Sequence, residues 1–284
     1  MIGGQMGGLG RAEAVTEDKP ALGGVTFDVS VAHPARIYDY WLGGKDNFAA
    51  DRIAATEVLT VMPAMAQVAR SVRMFLAAVV HYLAADAGIR QFLDIGTGLP
   101  TVNNTHEVAQ RAAPGARIVY ADNDPIVLLH AGALLTCSPP GRCSYIEADV
   151  RDPDRILAQA AATLDLTEPV AVLMLGLLHF IPDVDAPYEL TRYYLDALAP
   201  GSYLAVSHAS SDIDAEPQEA AVKRYNSHSS TRIVLRSKAE MARFFDGLDL
   251  VPPGITPLGQ WAPGTALPGS PGLPTYTALA RKPR

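Results

Sequence analysis

Three acidic residues, each standing where an apolar run gives way to a turn, are the ones in this sequence best suited to chemistry. The first is Asp94, in Gln91-Phe-Leu-Asp-Ile95, followed at once by Gly96-Thr97-Gly98. Glycines let the backbone take positive φ and let a ligand approach with no Cβ in the way. A carboxylate before such a turn repels a pyrophosphate and attracts an ammonium or a sulfonium. The dinucleotide pattern Gly-x-Gly-x-x-Gly is also incomplete, because Thr101 stands at the third glycine position and Pro100 stiffens the turn. The second acid, Asp122, closes the next apolar run, Arg117-Ile-Val-Tyr-Ala-Asp122. A carboxylate there can accept hydrogen bonds from both hydroxyls of a ribose. Asn123 sits beside it, and Asp124 reads as the cap of the helix that Pro125 opens. The third, Asp149, follows Ser144-Tyr-Ile-Glu-Ala148 and can accept from an adenine amino group, with Val150 offering a backbone amide.

A second group of residues could face a reaction partner. His179, in Leu175-Gly-Leu-Leu-His179, ends the fourth apolar run and is the candidate catalytic residue, as substrate contact or general base. His208, at the end of the fifth run, is a second candidate for contact with substrate. Tyr38, Tyr40, Asn47 and Arg52, together with Arg36 and Trp41, crowd a segment with little hydrophobic period and read as a lid. Tyr225, Asn226 and Arg232 are expected to close the opposite side. Bland readings stand beside these: a strand-end histidine satisfied within the core, and aromatics that only pack a structural cap.

These residues need a frame that brings strand ends to one edge. Runs at 91–95, 117–122, 144–148, 170–175 and 202–207 read as strands, separated by helical patterns at 103–113, 125–135, 153–164 and 188–198. Such alternation predicts a parallel sheet with right-handed crossovers, whose carboxyl edge binds ligands. Further helical patterns at 216–225 and 238–245 lead to Leu250-Val251, a Pro/Gly-crowded stretch at 252–274 read as an irregular loop, and a strand at 276–280. Two late strands without a helix between them predict an antiparallel pair at one edge. Ahead of the sheet, a helix opened by Pro63 runs to Gly88 with apolar residues three and four apart. The expected division is a disordered leader over residues 1–24, a helical cap over 25–88, and a Rossmann-like ligand-binding domain over 89–284.

The 284 residues are 49% hydrophobic and 19% charged, so a sizeable core can form. A net charge of −7 with no block of Lys or Arg argues against a nucleic-acid partner and for a small-molecule ligand. No apolar run is long enough to span a bilayer and no signal peptide is visible, so a cytoplasmic protein without a membrane partner is expected. Cys137 and Cys143 lack the further ligands of a zinc site and are expected as reduced thiols, and no metal site is expected.

The stretch from Asp94 to Val150 resembles the class I S-adenosylmethionine-dependent methyltransferases. In finer detail, His33 to Asn47, Arg90 to Thr101, Tyr120 to Pro125, Leu178 to Asp183 and Tyr276 to Lys282 resemble an actinobacterial methyltransferase family formerly catalogued as a domain of unknown function. The resemblance covers nearly everything after residue 32. It implies an α/β fold of the Rossmann-like methyltransferase type, a seven-stranded, mostly parallel sheet with an antiparallel last strand. It implies S-adenosyl-L-methionine as cofactor, with Asp94 and Gly96 near the methionine amino group, Asp122 on the ribose, and Asp149 with Val150 at the adenine. Thr97, Gly98 and Asn123 complete the expected cofactor contacts. The expected activity is methyl transfer to a small molecule that the sequence does not identify, and oligomeric state is not legible. A cofactor-binding protein without turnover, acting as sensor or partner subunit, fits the same residues. A nicotinamide oxidoreductase is disfavoured by Asp94, Thr101 and the antiparallel end of the sheet.

Overall fold

The strand–helix alternation is realised as one sheet between two helical layers in the computed structural model, which describes residues 21–22, 25–26, 28–134, 137, 139–263, 265–266 and 272–284. Five strands run parallel: β1 (Gln91–Ile95), β2 (Arg117–Asp122), β3 (Arg142–Glu147), β4 (Ala171–Leu175) and β5 (Tyr203–Ala209). Three more follow, β6 (Asp249–Leu250), β7 (Thr256–Leu258) and β8 (Leu273–Arg281), with β8 antiparallel to β5. The spatial order is β3-β2-β1-β4-β5-β8-β6, and β7 also pairs with the outer edge of β8. The order reverses between β1 and β4, the point at which connections leave to opposite faces and a crevice opens at the carboxyl ends.

The sheet thus has eight strands where seven are expected. The additional one, β7, lies in the Pro/Gly-crowded stretch read as a loop. Its Pro257 has no N–H to give a ladder, which suits an edge position. β8 also begins three residues before the expected Tyr276.

Strand residues alternate strictly between two cores, as period-two geometry requires. Phe92, Ile118, Leu173, Ala205 and Leu279 face one core, and Leu93, Val119, Val172, Leu204 and Ala278 the other. The N-terminal helices are α1 (Pro34–Leu42), α2 (Ala49–Val61) and α3 (Met65–Ala85). They are followed by α4 (Thr105–Ala112), α5 (Pro125–Leu134), α6 (Pro153–Ala160), α7 (Pro187–Asp196), α8 (Ala215–His228) and α9 (Lys238–Ala242). Helices α3 and α4 cover the first core, whereas α6, α7 and α9 cover the second.

In α3 the buried residues Val68, Val72, Phe75, Leu76, Val79, Val80 and Leu83 recur at the expected three-and-four spacing. The helix starts at Met65 rather than Pro63, which occupies the preceding turn. Phe75 meets Trp261 edge to face, 5.1 Å between centroids. Among the described residues α3 is the one helix long and apolar enough to cross a bilayer, and half of that stretch is buried inside the protein. Helices α1 to α3 share a continuous core with the sheet.

Most of the 1–24 leader lies outside the described residues; at its end Ala21–Leu22 pair antiparallel with Val25–Thr26. One smaller expectation needs correction. Cys137 and Cys143 are not free thiols: a turn through Pro139 and Pro140 brings their Cα atoms to 5.7 Å, within disulfide reach, and the sulfurs are bonded.

Candidate active site

The crevice at the switch point is a cavity of about 230 Å³, roofed by α1 to α3 and bordered by α8. At its β1 end Asp94 is 4% exposed and accepts a 2.6 Å hydrogen bond from Thr105 Oγ1 at the start of α4. Burial pushes its carboxyl up to about 6, with the Asp122 charge adding to that, while Thr105 and the Arg73 guanidinium pull the other way. Gly96 and Gly98 carry φ of +71° and +66°. A Cβ on Gly96 would stand 2.7 Å from Leu177 Cδ1, whereas one on Gly98 would meet nothing within 4 Å. Conformation favours glycine at both positions, and at the first an added Cβ would also have to displace the Leu177 side chain.

Strand β2 delivers Asp122 directly beside this turn. Its Oδ2 accepts from the Gly98 amide at 2.8 Å and its Oδ1 from the Asp124 amide at 2.9 Å. Each oxygen keeps a second lone pair for a ligand. Burial raises the Asp122 carboxyl despite those amides. Asp124 points elsewhere: it caps α5 through the Ile126 amide, and its Oδ2 lies 2.9 Å from His33 Nδ1. Burial pushes that carboxyl up, yet His33, the Ile126 amide and Arg36 together hold it below the usual range. Asn123 joins the second strand end to the third, donating 3.1 Å to Asp149 Oδ2. Asp149 is gripped by Arg151 through Nε at 2.8 Å and Nη2 at 2.9 Å. Burial would raise its carboxyl too, but these bonds keep it low. Val150 is buried, its carbonyl taking the Tyr194 hydroxyl at 2.8 Å, and its amide finds no acceptor among the described residues.

The β4 end carries His179 on the short turn Leu178–Phe180, with its carbonyl accepting from the Val234 amide at 2.8 Å. His179 lines the cavity, and its buried Nδ1 has no hydrogen-bond partner. Burial, with the neighbouring His208 and Arg236, holds this imidazole neutral, well below its ordinary pKa. His208 is placed differently from expectation. Its Nε2 lies 2.9 Å from Arg236 Nη1 and its Nδ1 2.8 Å from the Ala209 carbonyl. A guanidinium only donates, so Nε2 is the acceptor and Nδ1 carries the proton. Both nitrogens are therefore committed within the protein, and burial, with Arg236, lowers the pKa to about 3. His208 borders the cavity without a free nitrogen to offer it.

The expected lid separates into two groups. Tyr38 lines the cavity with its hydroxyl tied to the Ala69 carbonyl at 2.8 Å, and Trp41 lines it with its indole N–H on the Ala55 carbonyl at 3.2 Å. Tyr40, Asn47 and Arg52 do not line it. Asn47 donates 2.8 Å to Asp39, Arg52 donates 2.7 Å to the Asn47 carbonyl, and the Tyr40 hydroxyl meets Thr56 at 3.5 Å. They build the α1–α2 connection. Arg36 is likewise structural, bonding the Val31 carbonyl at 3.1 Å. On the far side Tyr225 lines the cavity, whereas Asn226 bonds the Ile233 backbone and Arg232 is exposed.

Two residues escaped the sequence reading. Arg73, on α3, reads there as one polar residue of an amphipathic helix, although its i−4 relation to Ala69 puts both on the cavity side. Arg236 left no local signal. It is 1% exposed and binds the Leu178 carbonyl at 3.1 Å, the Ile181 carbonyl at 2.9 Å, His208, and Asp183 at 2.6 Å. It thereby clamps the turn that carries His179. The cavity as a whole is polarised. Its carboxylates and guanidiniums, Asp94, Asp122, Asp149, Arg73 and Arg151, gather at the β1–β3 ends, whereas the rest mixes Trp41, Met62, Met65, Phe180 and Val222 with uncharged polar side chains such as Gln218 and Thr275. One end suits a ligand with a cation, vicinal hydroxyls and a base, and the other an apolar molecule.

The profile of a family described as S-adenosyl methyltransferase matches residues 22–283. A DUF574-family protein of Streptomyces avermitilis is 41% identical, with a TM-score of 0.84 over 90% of this chain and 99% of its own. A protein of Thermobifida fusca provisionally named a methyltransferase is 37% identical, with a TM-score of 0.83 over 90% of this chain and 97% of its own. A search of curated proteins found no match. The sheet order, the acid-lined crevice and a family match spanning nearly the whole chain agree, and this chain belongs to the S-adenosyl methyltransferase family.

Proposed function

We propose that this protein transfers a methyl group from S-adenosyl-L-methionine to a small, uncharged, largely apolar organic molecule. The observation that carries this reading is the polarised cavity: acids from three successive strand ends open onto the same space as a neutral His179 and an apolar wall. The donor set suits the cofactor. Asp122 retains lone pairs for ribose hydroxyls, Asp94 offers a carboxylate to the ammonium, and the Val150 amide matches an adenine ring nitrogen, while Asp149, its oxygens already taking Asn123 and Arg151, would meet the adenine amino group only by exchanging one of those bonds. Asn123 steadies Asp149, and Gly96, Thr97 and Gly98 let the backbone come close.

When bound, the cofactor supplies an electrophilic methyl on a sulfonium. The chain's own contribution is alignment and exclusion of water, because the apolar wall desolvates whatever lies against it. His179, kept neutral by burial, can accept a hydrogen bond or a proton from the acceptor's nucleophilic group. Tyr38 and Trp41 have their polar atoms engaged within the protein and present ring surface. On this reading residues 25–88 act as cap and residues 89–284 as the cofactor-binding unit.

The test is calorimetric titration with S-adenosylmethionine and S-adenosylhomocysteine, followed by mass-spectrometric detection of S-adenosylhomocysteine release over a panel of neutral hydroxylated aromatics. Release that requires both the acceptor and His179 supports the reading. Tight binding with no release on any acceptor points to a non-catalytic binder, and absence of binding sinks the proposal.

A further inference from the structure

We propose that Arg73 is a carboxylate-binding residue of the cavity, and that it takes the α-carboxylate at the amino-acid end of the cofactor. The inference rests on the cofactor reading above and adds a residue that lies outside the sheet and its glycine turn.

Two arginines line the cavity, and they differ in commitment. Arg151 is paired with Asp149 at 2.8 Å and with Asp185 at 3.0 Å. Arg73 has no acidic partner among the described residues. Its Nη2 reaches the Val102 carbonyl at 3.1 Å, the Asn103 carbonyl at 3.3 Å and Asn104 Oδ1 at 3.4 Å. Its Nε is buried with no hydrogen-bond partner, and its Nη1 donates to no described residue. A guanidinium presents five N–H donors in a planar fork. Here one arm holds the β1–α4 loop while Nε and the other arm remain unspent beside the cavity. Leaving the buried Nε donor unmet is costly, so a ligand oxygen belongs there.

The neighbourhood says which oxygen. Asp94 is near enough that the Arg73 charge lowers its carboxyl. A cation and an anion lining the same cavity, one on α3 and one before the glycine turn, match the two ends of an α-amino acid, whose carboxylate and ammonium are one carbon apart. Arg–carboxylate recognition is directional and often bidentate, which would fix the amino-acid end against α3. The same guanidinium could instead meet a carboxylate on the methyl acceptor, and the ligands below distinguish the two sources.

The experiment is calorimetric titration of wild-type protein, Arg73→Gln and Arg73→Lys with S-adenosylhomocysteine and with 5′-methylthioadenosine, which keeps the adenosine and thioether but lacks the amino acid. Thermal melts of all three proteins accompany it. Wild type is expected to bind S-adenosylhomocysteine at least tenfold more tightly than 5′-methylthioadenosine. Arg73→Gln is expected to lose about 10- to 100-fold for the former, with the latter changed less than about twofold. Arg73→Lys, which keeps the charge but not the fork, should fall between. Equal losses for both ligands would reduce Arg73 to a loop fastener, and unchanged S-adenosylhomocysteine affinity would remove the cofactor carboxylate from it. Either outcome overturns the proposal while leaving the cofactor site intact. Wild type binding neither ligand would instead overturn the cofactor reading itself.

Discussion

Replacing Arg236 with Met tests whether one buried cation organises the acceptor side of the cavity. The side chain is 1% exposed, so the substitution removes four hydrogen bonds from a dry place. They do not weigh equally. The Asp183 side chain is 73% exposed and regains water, so its short bond to Arg236 counts for little, under about 1 kcal/mol. The Ile181 carbonyl and His208 Nε2 sit in residues no more than 2% exposed and would be left without donors, whereas the Leu178 carbonyl keeps the Ile181 amide at 3.2 Å. Each orphaned acceptor costs about 1–3 kcal/mol. Relief from burying a guanidinium offsets part of the sum over these two acceptors, leaving a loss of about 2–3 kcal/mol. Urea unfolding with an unchanged slope measures it, with Asp183→Asn as the control expected to lose under about 1 kcal/mol. Because Arg236 grips the turn bearing His179 and touches none of the strand-end acids, S-adenosylhomocysteine affinity in the folded variant should stay within about threefold of wild type. Acceptor-dependent turnover should drop by more than about tenfold. A stability loss below about 1 kcal/mol, or equal damage from Asp183→Asn, would refute the reasoning.

Asp122→Asn should weaken S-adenosylhomocysteine binding by about 100-fold or more in calorimetry, since charge-assisted hydrogen bonds contribute about 1.5–3 kcal/mol each. It should also lower the melting temperature, because an amide N–H₂ would face the Gly98 or the Asp124 amide. Cofactor affinity should decline with acid. Asp94 binds an ammonium in its ionised form, its free carboxyl is raised to about 6, and protonation below that removes the charge. From pH 7.5 to 5.5 this amounts to about fourfold for Asp94 alone, and titration of Asp94→Asn over the same range should lose that share. Tyr40→Phe and Arg52→Ala, which alter the α1–α2 connection and not the cavity, should leave S-adenosylhomocysteine affinity within about twofold.

Features that depend on near neighbours in the chain are legible in the sequence alone. The runs around Leu93, Val119 and Val172 announce strands buried on both faces, and alternation with helices sets the parallel order and the edge at which Asp94, Asp122 and Asp149 emerge. The glycine turn is equally local, since positive φ is a property of the residue itself. Tertiary packing alone decided the rest. In the aperiodic stretch from His33 to Arg52, nothing in the sequence says which aromatic turns inward, and the structure turns Trp41 to the cavity and Tyr40 away. The sequence leaves His208 free, whereas in the fold Arg236, distant along the chain, takes its Nε2. Arg73 reads as an ordinary helix-surface cation, and it is the packing of α3 that brings it to the cavity that Asp94 also lines. Strand polarity and turn conformation are written in adjacent residues, but whether a polar atom is spent or spare depends on partners tens of residues away, which only the packed chain brings within hydrogen-bonding reach.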